Sequence, residues 1–128
     1  MRFSLCLALQ ITLLACSHQS SPFAGRYVLE RGSARDTLVL LPNGTYQHTT
    51  VFVDQRVLAD SGTWRITTVD GQPRLQINRW ILWATPDSQQ QIFGADAGTW
   101  YPPIDTLSDG TLSLRLSPDG PGGFVAIR

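Results

Sequence analysis

Along residues 45–53 the side chains alternate in kind: Tyr46, His48, Thr50 and Phe52 share one face of an extended chain, and Thr45, Gln47, Thr49, Val51 and Val53 the other. A period of two, carried by β-branched and aromatic residues, predicts a strand. Asn43-Gly44 stands just before it and just after the apolar run Leu38-Val39-Leu40-Leu41. That pair predicts a tight hairpin, because both residues accept positive φ. The run itself is apolar on both faces and predicts a strand covered on both sides. A turn at Asp54-Gln55-Arg56 and a corner at Asp60-Ser61-Gly62 follow. Beyond them Trp64 and Ile66 face inward while Arg65 and Thr67 look outward. Asp70-Gly71-Gln72-Pro73 is the next turn, and Leu75 and Ile77 the next inward pair.

The flanking segments repeat the pattern. Residues 26–30 form a short β-favouring run ended by Gly32, and Leu112, Leu114 and Leu116 alternate with Thr111, Ser113 and Arg115. Residues 118–123 make the last turn region, and residues 124–127 the closing strand. Gly44-Thr45-Tyr46, Gly62-Thr63-Trp64, Gly98-Thr99-Trp100 and Gly110-Thr111-Leu112 each set glycine, threonine and a large apolar residue at a strand start. In each, the glycine closes a turn and the large residue takes the first inward position. Many short antiparallel strands cannot leave two long naked edges, and closure removes edges altogether. The fold class expected is therefore all-β, a small antiparallel up-and-down β-barrel of about eight strands over residues 23–128. Tyr46, Trp64, Ile66, Leu75, Ile77, Leu112 and Leu114 are the expected core.

Three motifs carry a family resemblance: Gly25-x-Tyr27 in the first strand, Leu38-x-Leu40-x-x-x-Gly44-Thr45-Tyr46, and Gly62-Thr63-Trp64. Over residues 25–77 they resemble the lipocalin-like and avidin-like small barrels of bacterial envelope lipoproteins, among them copper-stress sensors. The resemblance implies a fold rather than a function. The copper-stress members carry a Cys-x-x-Cys pair in the barrel that this chain lacks, so metal sensing does not carry over.

The start of the chain has a different character. Met1-Arg2-Phe3-Ser4 supplies one positive charge, residues 5–14 are an apolar run, and Leu13-Leu14-Ala15-Cys16 places a small residue directly before a cysteine. This resembles the lipobox of bacterial lipoprotein signal peptides. The run is about ten residues long, too short for a helix of about twenty to span a bilayer but suited to a signal-peptide core. Residues 1–15 are thus expected to be the signal peptide and residues 16–22 a lipidated cysteine with a flexible polar tether. Acylation at Cys16 would attach the protein to a membrane, each buried methylene contributing about 0.8 kcal/mol. Ser17 after the cysteine implies, by the same resemblance, the outer membrane and a periplasm-facing domain. Cys6 leaves with the signal and Cys16 carries lipid, so the mature domain is expected to have no disulfide and to rely on core burial.

Composition changes the picture by exclusion. All ten basic residues are arginine, and nine of the ten acidic ones are aspartate, so lysine chemistry is absent. Net charge is zero and no basic stripe exists, which gives nucleic acid no electrostatic footprint. His48, the one histidine of the barrel region, has no nucleophile or orienting motif around it and is expected to be a satisfied core or rim residue. Asp54 and Asp60 lie near it in sequence, but zinc or copper needs three or four converging donors, and these aspartates are expected to make turns. No catalytic residue, metal or cofactor is expected, and the protein is not expected to be an enzyme.

One stretch breaks the alternation. In Arg79-Trp80-Ile81-Leu82-Trp83-Ala84 both faces are apolar, and after the polar residues 85–97 comes Gly98-Thr99-Trp100-Tyr101-Pro102-Pro103, where the prolines hold an extended, non-sheet path. Two readings follow. The segment folds back as a lid, with Trp83, Phe93 or Trp100 closing one end of the barrel, or Arg79, Trp83, Trp100 and Tyr101 form an exposed binding rim. The rim suits a non-enzymatic protein-binding module, an inhibitor, immunity or envelope-interaction protein whose partner is another envelope protein or an incoming one. The alternative is a carrier of one small apolar ligand, with Tyr46, Trp64 and Trp80 lining a cavity.

Overall fold

The computed structural model describes residues 21–86, 88–90, 98–116 and 122–128. Residues 1–20, where the sequence reading expects a signal peptide, a lipidated Cys16 and most of a tether, lie outside the described residues, as do Phe93, most of residues 85–97, Ser117 and residues 118–121 of the expected last turn. Among the described residues the chain is all β, with no α-helix. The strands are β1 (Gly25–Glu30), β2 (Ala34–Leu40), β3 (Thr45–Phe52), β4 (Val57–Val69), β5 (Gln72–Ile77), β6 (Leu82–Thr85), β7 (Ser88–Gln90), β8 (Ile104–Thr106), β9 (Leu112–Arg115) and β10 (Gly123–Ile127). Eight of them form one antiparallel sheet in the order β5-β4-β3-β2-β1-β10-β9-β8, and β6 pairs only with β7. The two ends of the sheet meet: Ile77 and Trp100 exchange both backbone hydrogen bonds at 2.8 Å each, and Arg74 bridges Pro103. The small antiparallel barrel expected from the sequence is present and nearly closed. Pro102 and Pro103 have no N–H to give to a ladder, so the closing contact is made through isolated bridges.

The interior is Tyr27, Leu29, Leu38, Leu40, Tyr46, Trp64, Leu75, Ile77, Trp80, Leu82, Trp100, Leu114 and Phe124. The inward set on β3 is the one its alternation predicts, with Tyr46, His48, Thr50 and Phe52 all buried. Ile66 is a correction, because it is 41% exposed. Strand β3 begins at Thr45, opposite Thr63, so from Trp64 onward β4 has only β5 beside it and its inner face loses cover. Leu112 is half-buried rather than buried.

The turns also differ from expectation. At Asn43-Gly44 only Gly44 has positive φ, at 84°. Leu41 O accepts Gly44 N–H at 3.1 Å and Leu41 N–H reaches Thr45 O at 2.9 Å, so Pro42-Asn43 make an ordinary turn and Gly44 adds a bulge. The two-residue turn with both φ positive lies instead at Asp70 (50°) and Gly71 (74°), joining β4 to β5. Asp60-Ser61-Gly62 is no corner, for it runs through the middle of the thirteen-residue β4. Gly62 faces Tyr46, and a Cβ there would stand 2.5 Å from Asn78 O and 2.8 Å from Tyr46 Cε1. Its glycine therefore serves close packing, not a bend.

Candidate functional site

Three adjacent strands aim polar groups into the apolar interior. Asp36 of β2 lies opposite Thr50 of β3, and His48 of β3 lies opposite Asp60 of β4, so all four side chains fall on the inner face. His48 Nε2 is 3.0 Å from Asp36 Oδ1, and its Nδ1 is 2.8 Å from Asp60 Oδ1. Thr50 donates its hydroxyl to Asp36 Oδ1 at 2.6 Å, and Arg31, from the turn after β1, donates Nε–H to Asp36 Oδ2 at 2.6 Å. Asp36, His48 and Thr50 have no solvent exposure at all.

A charged cluster this deep is costly unless its charges balance, and its hydrogen bonds do so only in part, since Arg31 Nη2 and Asp60 Oδ2 are buried without a partner among the described residues. Asp36 accepts from the Thr50 hydroxyl and from the Arg31 guanidinium, whose charge favours the carboxylate form. Both imidazole nitrogens of His48 face carboxylates. A neutral ring has one N–H and would turn a lone pair against the other oxygen, whereas the imidazolium donates to both. With His48 charged, Arg31 and His48 balance Asp36 and Asp60. Burial alone works against the imidazolium, but the hydrogen bonds to Asp36 and Asp60 and their negative charge outweigh it and raise the His48 pKa above the ordinary value. Burial likewise opposes the Asp36 carboxylate, and hydrogen bonds from His48, Thr50 and Arg31 outweigh it and lower the Asp36 pKa.

Above this cluster stands a column of rings. Trp80 stacks on His48 with centroids 4.6 Å apart and planes 27° from parallel, and Trp100 stacks on Trp80 at 4.6 Å and 25°. Phe124 of β10 meets Trp80 edge-on at 5.7 Å and His48 at 6.2 Å. An imidazolium against an indole face is a cation–π contact, stronger where water is excluded. The local chain path explains how Trp80 gets there. Asn78 N–H still bonds Thr63 O, and then Arg79 takes φ of 60° and turns the chain inward. The Tyr46 hydroxyl lies 2.9 Å from Asn78 O and 3.0 Å from Arg79 O, and Trp80 N–H donates to Gly98 O at 2.6 Å. Burial, with the Asp60 charge as a smaller influence, raises the Tyr46 pKa, so the phenol stays a neutral donor.

The four rim residues expected from sequence do not share one environment. Trp100 is 4% exposed and belongs to the ring column, so it is withdrawn from the rim by its stacking on Trp80. Arg79 is exposed, Tyr101 is 43% exposed and Trp83 is half-buried on the separate β6–β7 ribbon. Arg79 and Tyr101 each adjoin one tryptophan of the column, and the antiparallel Ile77–Trp100 bridge sets Arg79 on its Gly98 side and Tyr101 on its Gln76 side, so the two flank the column from opposite directions. Of the residues the lid reading names, Trp100 is buried in the barrel core, Trp83 is half-buried and Phe93 lies outside the described residues.

Sequence reasoning missed Asp36, although a signal was there: Asp36-x-Leu38-x-Leu40 sets the aspartate on the face of two buried leucines. Asp60, expected to make a turn, is instead a partner of His48, whereas Asp54 does turn the chain by accepting Arg56 N–H at 3.0 Å. Among the described residues no three His, Cys, Asp or Glu side chains are placed to hold a metal ion. The cluster can hold or release one proton, and it can fix the plane of Trp80.

Comparison with family models, curated proteins and solved structures finds no match to this chain.

Proposed function

We propose that the chain is an outer-membrane lipoprotein whose periplasm-facing barrel is a non-enzymatic protein-binding module, engaging an envelope or incoming protein through Arg79, Trp83 and Tyr101. The observation that supports this reading is the filled interior. Tyr46, Trp64 and Trp80, which a carrier would use to line a ligand space, are all buried in one core cluster; Trp80 is sandwiched between His48 and Trp100, and Trp64 Nε1–H is tied to Leu41 O at 2.9 Å. A close-packed column leaves affinity to the outside of the barrel. There, an arginine, a tryptophan and a tyrosine are the residue types enriched at interface hot spots. The anchor rests on the lipobox-like Leu13-Leu14-Ala15-Cys16, and tethering would raise the effective concentration of the module beside its partner.

The test is affinity capture from envelope extracts with wild type and with Trp83→Ala/Tyr101→Ala, followed by binding of the purified partner. Capture by wild type and at least a tenfold weaker interaction in the variant are expected, since loss of a hot-spot aromatic costs about 2 kcal/mol or more. Equal capture by both, or by neither, removes this surface as the site.

A further inference from the structure

The buried cluster and the outer surface are joined by the column of rings. His48 touches Trp80, Trp80 touches Trp100, and the next residue outward from each tryptophan, Arg79 and Tyr101, lies on the proposed binding surface. We propose that proton binding at His48 sets the geometry of the Arg79–Tyr101 surface, so that partner binding there is linked to pH. The inference names the regulation of that site and so rests on the partner-binding reading.

Two carboxylates, Asp36 and Asp60, point at the His48 ring, while Arg31 bonds Asp36 and the Tyr46 hydroxyl is turned to the Asn78 and Arg79 carbonyls. Asp36 comes from β2, Asp60 from β4, Arg31 from the turn after β1 and Tyr46 from its own strand, while Trp80 and Phe124 cover it without charge. Loss of the proton to solvent turns the imidazolium into a neutral imidazole. One ring nitrogen then presents a lone pair to Asp36 or Asp60, a repulsive pairing at about 3 Å that the ring relieves by rotating or shifting. Loss of the charge also ends the cation–π attraction that holds Trp80 face-on. Packed rings do not deform gradually, so a new His48 plane requires a new Trp80 plane and, through a 4.6 Å stack, a new Trp100 position. The chain at Arg79 is suited to such a change. Its non-glycine left-handed φ of 60° is held by the Tyr46 hydroxyl and the Trp80–Gly98 hydrogen bond rather than by local preference.

The experiment is NMR titration of the folded protein from pH 5 to pH 9. The His48 ring, both indole N–H signals of Trp80 and Trp100, and the Arg79 and Tyr101 amides are expected to move with one shared midpoint. In Asp60→Asn, which removes one negative neighbour, all five are expected to move together to a midpoint lower by about one unit or more. Static Arg79 and Tyr101 signals while His48 titrates would overturn the linkage. So would a midpoint unchanged in Asp60→Asn, or a His48 ring that keeps one state throughout while the fold persists. The titration needs no partner, so intact proton linkage with no binding at any pH would sink only the partner-binding reading.

Discussion

His48 and Asp60 face each other directly across β3 and β4, with Nδ1 2.8 Å from Oδ1, although they stand twelve positions apart along the chain. Proton affinity and fold stability are therefore coupled, and the sign can be worked out. The His48 pKa is raised in the folded state, so its contribution is complete below the unfolded value of about 6.5 and fades as pH rises through the folded one. Asp36 is lowered, so its contribution is present above about 3.9, the unfolded value, and fades as pH falls through the folded one. Thermal melts from pH 3 to pH 9 are expected to plateau between roughly pH 4 and 6.5 and to fall on both sides. A melting temperature still rising between pH 7 and pH 9 would contradict the protonated cluster.

Asp36→Asn leaves the donors of Arg31, Thr50 and His48 around a neutral amide. Breaking a buried charge network on one side costs about 3–5 kcal/mol, a large share of the stability of a domain this size. Denaturant titration is expected to show a loss in that range. A loss under about 1 kcal/mol would mean that water, rather than Asp36, satisfies the donors.

Trp64 and Ile66 sit two residues apart on β4 and should respond differently. Trp64 is 7% exposed and anchored through its indole, so Trp64→Ala is expected to cost about 3–5 kcal/mol. Ile66→Ala removes a side chain that water already reaches, and is expected to stay within about 1 kcal/mol of wild type. Equal losses at the two positions would mean that Ile66 is covered in solution.

Gln55 occupies the place in its turn that Gly44 and Gly110 take in theirs, with φ of 70° against 84° for each glycine. In all three turns an Asn or Asp side chain accepts a backbone N–H two residues on, at 2.9–3.0 Å. A left-handed non-glycine residue costs about 1 kcal/mol, partly offset by the extra freedom glycine gives the unfolded chain. Gln55→Gly is expected to raise the melting temperature by a few degrees. A lower melting temperature would show that the Gln55 side chain makes compensating contacts.

At the other end of the chain, the mature protein is expected to begin at Cys16 bearing lipid, as mass spectrometry of the native N-terminus would reveal. Cys16→Ala is expected to release the domain from the membrane fraction. Retention of that variant, or an uncut Met1, would remove the anchor.

The sequence by itself determined which residues face inward on β3, because alternation with a period of two needs no knowledge of neighbours. It determined the β class and, in the same local way, that a turn falls within Asp70-Gly71-Gln72-Pro73, of which only Asp70 and Gly71 turn and Gln72 already begins β5. Tertiary structure alone decided what each inward residue meets. Asp36, His48 and Asp60 are brought together by register across three strands, and register is a relation between segments that no single segment encodes. Tertiary structure also decided cover: Ile66 has the pattern of a core residue and is exposed because β3 begins at Thr45, and Trp100 is buried because Trp80 offers it a ring to stack on. Which face a side chain takes is local geometry; burial depends on whether another part of the chain comes to cover that face.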